Sequence, residues 1–369
     1  MRAIAITPGQ PGARLVSRTE PAITAPDHVK VKVVRVGICG TDREEIVGGR
    51  AQAPTGQTEL VIGHEMLGRV VEVGQEVTRV AVGDLAVFTV RRGCGACANC
   101  NMGRNDMCRT GRYTERGIHG QDGYQTEFVV DREVYVTRVV PELEPVGVLL
   151  EPLSIVEKAI DDALRCFALR DPEAAITPAW LAGRPCLVAG LGPVGLLAAL
   201  VLRLRGAEVY GLDIVPDSDG RVQWLQEIGG KYWKGPLQKY PQLMDIVVDA
   251  SGFAALEFNL IDALAPNAVY ALTGIPGGDK ALSIQGAALL RQLVLGNQVL
   301  LGSVNAARGH FQMAVDDLAA ARRLWGAHAE KLITHRRTPE ELIAAAGQRP
   351  QGVIKAVVEW SGTGGSQTP

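Results

Sequence analysis

The rhythm of apolar and polar positions changes once along this chain, near residue 152. Before it, apolar residues alternate or run in short stretches bounded by glycine: VKVKVVRVG (29–37), LGRVVEVG (67–74), DLAVFTV (84–90) and YQTEFVVD (124–131). Period-two patterning with glycine breaks predicts strands and turns, hence a β-rich domain. After it, SIVEKAIDDALRCFALR (154–170) has a helical period, followed by a connector with two prolines, DPEAAITPAW. Short apolar runs and helical segments then alternate. PCLVAG, AEVYGLD, MDIVVDASG, NAVYALTG and LVLGNQVLLGS read as strands; PVGLLAALVLRLRG, GRVQWLQEIGG, FAALEFNLIDALA and IQGAALLRQ read as helices. Such alternation predicts a parallel sheet covered on both faces. The remainder reads as a long helix (about 309–327), a shorter one (339–346), a final strand GVIKAVVEW and a disordered tail SGTGGSQTP.

A length of 369 residues with 47% hydrophobic content allows two domains with sizeable cores. The net charge is −2 and no basic face stands out, so nucleic acid is not an expected partner. The longest apolar run, Leu196 to Leu202, is far below the roughly 20 residues of a membrane span. MRAIAITPG is too short and mixed for a signal peptide. A soluble cytoplasmic protein is expected. Thiols stay reduced there, so clustered cysteines read as metal ligands before disulfides.

Gly190-Leu191-Gly192-Pro193-Val194-Gly195 fits G-x-G-x-x-G, follows a predicted strand and opens a predicted helix. That context is what a dinucleotide pyrophosphate needs: a tight turn at Gly190, backbone approach at Gly192, close helix packing at Gly195, and a helix N-terminus facing the anion. The next strand ends at Asp213, placed to accept from the adenosine ribose hydroxyls and to repel a 2′-phosphate. The residues after it, Ile214-Val215-Pro216, carry no arginine, which favours NAD over NADP; Arg221 is the nearest basic residue.

Four of the seven cysteines, Cys94, Cys97, Cys100 and Cys108, fall within residues 93–108. Four thiolates at such spacing form a closed tetrahedral set, the signature of structural zinc; an iron–sulfur cluster is the lesser alternative. A catalytic zinc needs about three protein ligands and an open position. Cys39 in GICGTD, His64 and Glu65 in GHEMLG, and Glu151 in LEPL are the candidates.

CGTD, GHExxG, the four-cysteine lobe and a following GxGxxG, in this order, resemble the zinc-dependent medium-chain alcohol dehydrogenase superfamily. TVRRGCG (89–95), YTERGIHGQDGYQTEF (113–128), LLEPLSIVEKA (149–159), ALAPNAVYALTGIPGG (263–278) and LLGSVNAARGHF (300–311) are similar to its glucose dehydrogenase branch, whose members oxidise the anomeric carbon of aldoses to lactones. The resemblance implies an α/β protein. Its GroES-like β-rich catalytic domain would take 1–155 and 305–369, and an inserted Rossmann domain 156–304, with the active site in the cleft between them. It implies two zinc ions per chain: a catalytic one on Cys39 and His64, with Glu65 or Glu151 binding directly or through water, and a structural one on the four cysteines. Thr41 would relay the substrate proton and Asp42 would orient His64. Glu115, Glu151 and Asn305 would hold sugar hydroxyls. Cofactor contacts would come from the glycine loop with Pro193 and Val194, and from Asp213, Ser251, Thr273 and Asn305. The branch also implies a homodimer or homotetramer. NADP-using members carry basic residues after the second Rossmann strand, where this chain has LDIVPD.

Two alternatives remain at this stage: an NAD-dependent polyol or other secondary-alcohol dehydrogenase on the same fold, and a non-catalytic nucleotide-binding redox sensor. The retained Cys39, His64 and Glu151 argue against the sensor. Cys166 and Cys186 read as core residues, and His328 and His335 as surface ones. No spacing argument makes His119 or His310 a ligand.

Overall fold

The computed structural model describes residues 1–169, 178–235, 239–278, 281–345 and 347–360. Most of the proline-containing connector and the tail 361–369 therefore lie outside the described residues, as does Ala346. The chain divides into two compact units: Met1–Ser154 with Asn305–Ala319 and Ala329–Pro369, and Ile155–Val304 with Ala320–His328.

The first unit is built on the strand His28–Ile38. Glu65–Val73 runs antiparallel along one edge, with Gly37 opposite Glu65. The other edge is shared. Phe128–Arg132 pairs with residues 28–32, and Lys355–Glu359 pairs with residues 35–38. Leu85–Phe88, Val136–Val139 and Ile333–Arg337 complete a seven-stranded sheet. Alternate valines of His28–Ile38 are buried with Ile4, Ile6, Leu60, Ile62, Phe88 and Tyr124, which is the core the alternating pattern foretold. A small antiparallel pairing of Arg91–Arg92 with Thr114–Arg116 carries charge on both faces. On its inner face Arg92 and Arg116 both donate to Oδ2 of Asp131, at 2.6–3.1 Å, and all three are buried. Burial pushes the Asp131 carboxyl up, but the two guanidiniums outweigh it and hold it well below the usual carboxylate range.

The second unit is a six-stranded, all-parallel sheet: Pro185–Ala189, Glu208–Leu212, Lys231–Trp233, Met244–Asp249, Leu264–Leu272 and Val299–Gly302. Numbered along the chain, their order across the sheet is third, second, first, fourth, fifth, sixth. That is the doubly wound Rossmann order, with its switch point between the first and fourth strands. Among the described residues no helix is long and apolar enough to cross a membrane.

Several elements differ from the sequence reading. The helix expected from residue 154 spans Leu150–Ala168, because Pro152 sits in its first turn, where a missing N–H costs nothing. This puts Glu151 at a helix N-terminus. Leu293–Leu295, read as strand, end the helix Gly286–Leu295. Lys231–Trp233 and Ile333–Arg337 were too short and too polar to read as strands. His328, read as a surface residue, is buried: its ring stacks on Trp224 at 4.6 Å and bonds the Trp224 carbonyl. Cys186 is buried, as expected, whereas Cys166 is only half-buried.

Removing Asp131 strands two buried guanidiniums. Asp131→Ala should cost about 3–5 kcal/mol at neutral pH, whereas Asp27→Ala, which removes the partner of the exposed Arg132, should cost below about 1 kcal/mol. The native pair should keep its contribution above the ordinary carboxylate range and lose it only in strong acid. Equal shifts of the two variants in a thermal melt at pH 7 would contradict this account.

Candidate active site

Sheet register gathers the first set of donors. Cys39 follows directly on His28–Ile38 and is the N-cap of the helix Gly40–Ile46. Its sulfur accepts from the Thr41 amide at 3.1 Å, and its own amide donates to Asp42 Oδ2 at 2.7 Å, a capping box with a thiol as cap. His64 precedes the neighbouring strand, and its Nε2 lies 3.1 Å from Cys39 Sγ. Its Nδ1 is 3.7 Å from Asp42 Oδ1. Glu65, paired with Gly37, completes the set: donor atoms of Cys39, His64 and Glu65 all lie within 4.8 Å of one another. A Cβ at Gly37 would collide with the Glu65 carboxylate, so this strand position needs glycine. Thr41 is half-buried in the first turn.

The electrostatics of this set call for a cation. Burial disfavours the charged His64 imidazole, yet Cys39, Asp42 and Glu151 outweigh it and hold its pKa well above the ordinary value. Burial pushes Glu151 up to about 7; His64 and Lys355 oppose this, while Glu65 and Asp42 add to it. Glu45, on the same helix as Asp42, is fully buried, and burial followed by the Asp42 charge pushes it up to about 9. A soft thiolate, an imidazole and a carboxylate at this spacing fit zinc, and Asp42 stands where it can fix the imidazole. The fit does not extend to Glu151 as a member of the tight group, which holds Glu65 instead. Glu65 also forms an ion pair with Lys355, both side chains being almost wholly buried. Lys355 was not foreseen; the signal was a lysine inside the apolar strand run GVIKAVVEW, where burial demands a partner.

The four cysteines of the lobe also converge, with all four sulfurs within 4.8 Å. The Sγ atoms of Cys94 and Cys100 are 4.0 Å apart. A tetrahedral ion with bonds of about 2.3 Å spaces its sulfurs about 3.8 Å apart, so the set fits zinc. Within the set the Thr110 hydroxyl and the Ala96 and Cys97 amides pull Cys94 down to about 5, while burial pushes Cys100 up to about 12.

Glu115 and Asn305 meet directly: Asn305 Nδ2 donates to Glu115 Oε1 at 2.6 Å. Asn305 adopts φ +59, a left-handed conformation asparagine tolerates. His119 lies beside Tyr113, and His310 Nδ1 accepts from the Ala307 amide at 3.1 Å; among the described residues neither belongs to a cluster of metal donors.

In the second unit Gly190 has φ +85, and a Cβ on it would press on the Ser251 backbone; one on Gly195 would collide with the Gly190 carbonyl. Gly192 caps the helix Pro193–Leu204 with open space around its Cα, and Pro193 takes the first helical position, with Val194 next. Asp213 Oδ2 accepts from the Leu191 amide at 2.6 Å, and Oδ1 from the Ile214 amide at 2.7 Å. Ser251 and Thr273 are both held by Asp249, the first through its carboxylate and the second through its carbonyl. Asp249 is buried and was not foreseen, although VVDASG ends a strand at the switch point.

Residues 25–142 match the family described as Alcohol dehydrogenase GroES-like domain, and residues 144–360 match Glucose dehydrogenase C-terminus. The chain belongs to the glucose dehydrogenase family. It is 38% identical to Glucose 1-dehydrogenase 2 of Vulcanisaeta moutnovskia, over 91% of this chain and 92% of that protein. It is 36% identical to the Methanocella arvoryzae Glucose 1-dehydrogenase, over 91% and 93%. The solved structure of Haloferax mediterranei glucose dehydrogenase in complex with NADP, Zn and gluconolactone matches with a TM-score of 0.86 at 32% identity, covering 98% of this chain and all of that one. As a member of this family the chain is a medium-chain, zinc-dependent NAD(P) oxidoreductase, with a GroES-like domain and a Rossmann domain.

The Glu65–Lys355 pair makes a prediction about metal linkage. Lys355→Met leaves Glu65 buried without its countercharge, so the metal-free protein should melt lower. Added zinc should then stabilise the variant more than the parent, because a ligand that relieves a native-state penalty gains by that amount. Melts of chelated and zinc-replete protein compare the two increments; equal increments would show that Lys355 and metal do not share Glu65.

Proposed function

We propose that this chain oxidises an aldose, with D-glucose as the expected substrate, at C1 to the lactone, passing hydride to a nicotinamide dinucleotide. Two sets within the first unit support this: the converging Cys39–His64–Glu65 donors, which fit zinc, and the Glu115–Asn305 hydrogen-bonding pair. Bound at the first set, zinc would act as Lewis acid on the anomeric hydroxyl, while the nicotinamide accepts hydride. Asp42, its Oδ1 3.7 Å from His64 Nδ1, would orient the imidazole at the metal. Thr41, in the turn beside Cys39, offers the hydroxyl that passes the substrate proton outward. Glu115 and Asn305 take the sugar hydroxyls, and Glu151 is the further carboxylate at the metal or the sugar. The four cysteines hold a second zinc that folds their lobe. We assign residues 1–155 and 305–369 to the catalytic domain and 156–304 to the dinucleotide domain.

In the dinucleotide domain Gly190 to Gly195 receive the pyrophosphate, and Ser251 and Thr273 border it at the strand ends. The Asp213 carboxylate takes the ribose hydroxyls and repels a 2′-phosphate, which supports NAD as the preferred cofactor. NADP is the cofactor in the Haloferax structure. The parallel sheet ends at Val299–Gly302, an edge strand that follows the helix Gly286–Leu295, on which Leu290, Val294 and Leu295 are exposed. An uncovered edge with apolar neighbours supports a homodimer or homotetramer assembled there. Cytoplasmic conditions keep the lobe's thiols reduced for zinc.

Absorbance at 340 nm with zinc-replete protein, an aldose panel and each cofactor tests the reading. Reduction of NAD by D-glucose is expected; activity with polyols and none with any aldose would remove the sugar assignment. Cys39→Ser should abolish turnover, and a fully active variant would sink the metal assignment. Asp213→Gly should raise the NADP:NAD preference about 10-fold or more, since it removes one repulsive charge at the 2′ position. An unchanged ratio would mean that another residue sets cofactor choice.

A further inference from the structure

One arginine ties the sugar-binding pair to the four-cysteine lobe. Arg91 stands opposite Glu115 in the short pairing of Arg91–Arg92 with Thr114–Arg116. Residues alternate between faces along such strands, so Arg92 and Arg116 serve the buried Asp131 while Arg91 and Glu115 share the other face. The Arg91 fork is divided between two targets. Nε and Nη2 donate to Glu115 Oε1 at 3.1 and 2.9 Å. Nη1 donates to the Asp106 carbonyl at 2.6 Å, in the turn Asn105–Met107 that leads into Cys108. The Asn105 side-chain amide returns a hydrogen bond to the Arg91 carbonyl. The guanidinium lies 4.0 Å from the centre of the Tyr113 ring, which fixes its plane. Among the described residues, every hydrogen bond to the Glu115 side chain ends on Oε1: two from Arg91 and one from Asn305. Oε2 is left as the oxygen for a ligand hydroxyl.

We propose that Arg91 is a positioning residue that transmits the fold of the four-cysteine lobe to Glu115 and Asn305, so that the lobe sets sugar affinity as well as stability. This rests on the reading that Glu115 and Asn305 hold the sugar. A planar fork can grip a carboxylate and a carbonyl in a fixed relation; a lysine ammonium, a single flexible point charge, cannot. The lobe therefore acts on the substrate through geometry, without touching the reacting atoms.

The test uses the zinc-loaded enzyme and the variants Arg91→Met, Arg91→Lys, Asn105→Ala and Glu115→Gln, measuring KM for D-glucose, KM for the nicotinamide cofactor, kcat, melting temperature and zinc content. Arg91→Met should raise the glucose KM about 10- to 100-fold, the worth of charge-assisted hydrogen bonds, with cofactor KM and zinc content unchanged and kcat affected less than KM. Arg91→Lys should recover little of this. Asn105→Ala should raise the glucose KM by a smaller factor, and it decides the matter should Arg91→Met fail to fold. Arg91→Met placed on Glu115→Gln should add little, because both act through one contact. A raised glucose KM in Glu115→Gln together with parental values in the Arg91 and Asn105 variants would overturn the relay and leave the sugar site standing. A parental glucose KM in Glu115→Gln itself would overturn the sugar site. Glucose and cofactor KM rising together with a fall in melting temperature would reduce Arg91 to a structural residue and overturn the proposal.

Discussion

The pairing register of His28–Ile38 is the constraint on which the rest of the site depends. Gly37 faces Glu65 across one edge, and the C-terminal strand brings Lys355 alongside at the other. Cys39 emerges from the end of the same strand and caps the next helix. A slip of one residue would turn the valines outward and carry Glu65 to the wrong face of the sheet. The hydrophobic pattern that forbids the slip is thus also what aligns a thiol, an imidazole and a carboxylate.

Charge is the second theme of the first unit. Buried carboxyls cluster at Asp42, Glu45, Glu65 and Glu151, and one lysine, Lys355, answers one of them. Burial first, and neighbouring carboxylates after it, push Glu45 and Glu151 up, and a metal cation would relieve the second of these. Elsewhere in the same unit Asp131 shows the opposite balance, one carboxylate between two guanidiniums. The two faces of one small strand pairing therefore use arginine differently: Arg92 and Arg116 neutralise a buried charge, and Arg91 aims a half-buried one.

Much of this was legible in the residues. CGTD and GHExxG were readable as carriers of a thiol, an imidazole and a carboxylate that a zinc could take, and GxGxxG because a tight turn and a close helix need glycine. The doubly wound sheet followed from the alternation of strand and helix texture. Lys355 and Arg91 were not legible as partners, since their contacts join segments that sequence spacing does not connect. His328 lay hidden because a stack on Trp224 leaves no periodic trace. The helix carrying Glu151 starts at Leu150, before the stretch whose helical period is visible from residue 154. In the comparison with relatives, family membership is carried by matches along nearly the whole chain.

The central claim is that the chain holds two metal sites of different chemistry, one open and mixed, one closed and all-sulfur. Counting zinc per chain by native mass spectrometry on the purified protein tests it most directly, with Cys39→Ser and Cys97→Ser measured alongside. Two zinc ions in the parent and one in each variant are predicted. A single ion in the parent that Cys39→Ser leaves in place would contradict the account, because the donors at Cys39, His64 and Glu65 would then be a cluster without a metal.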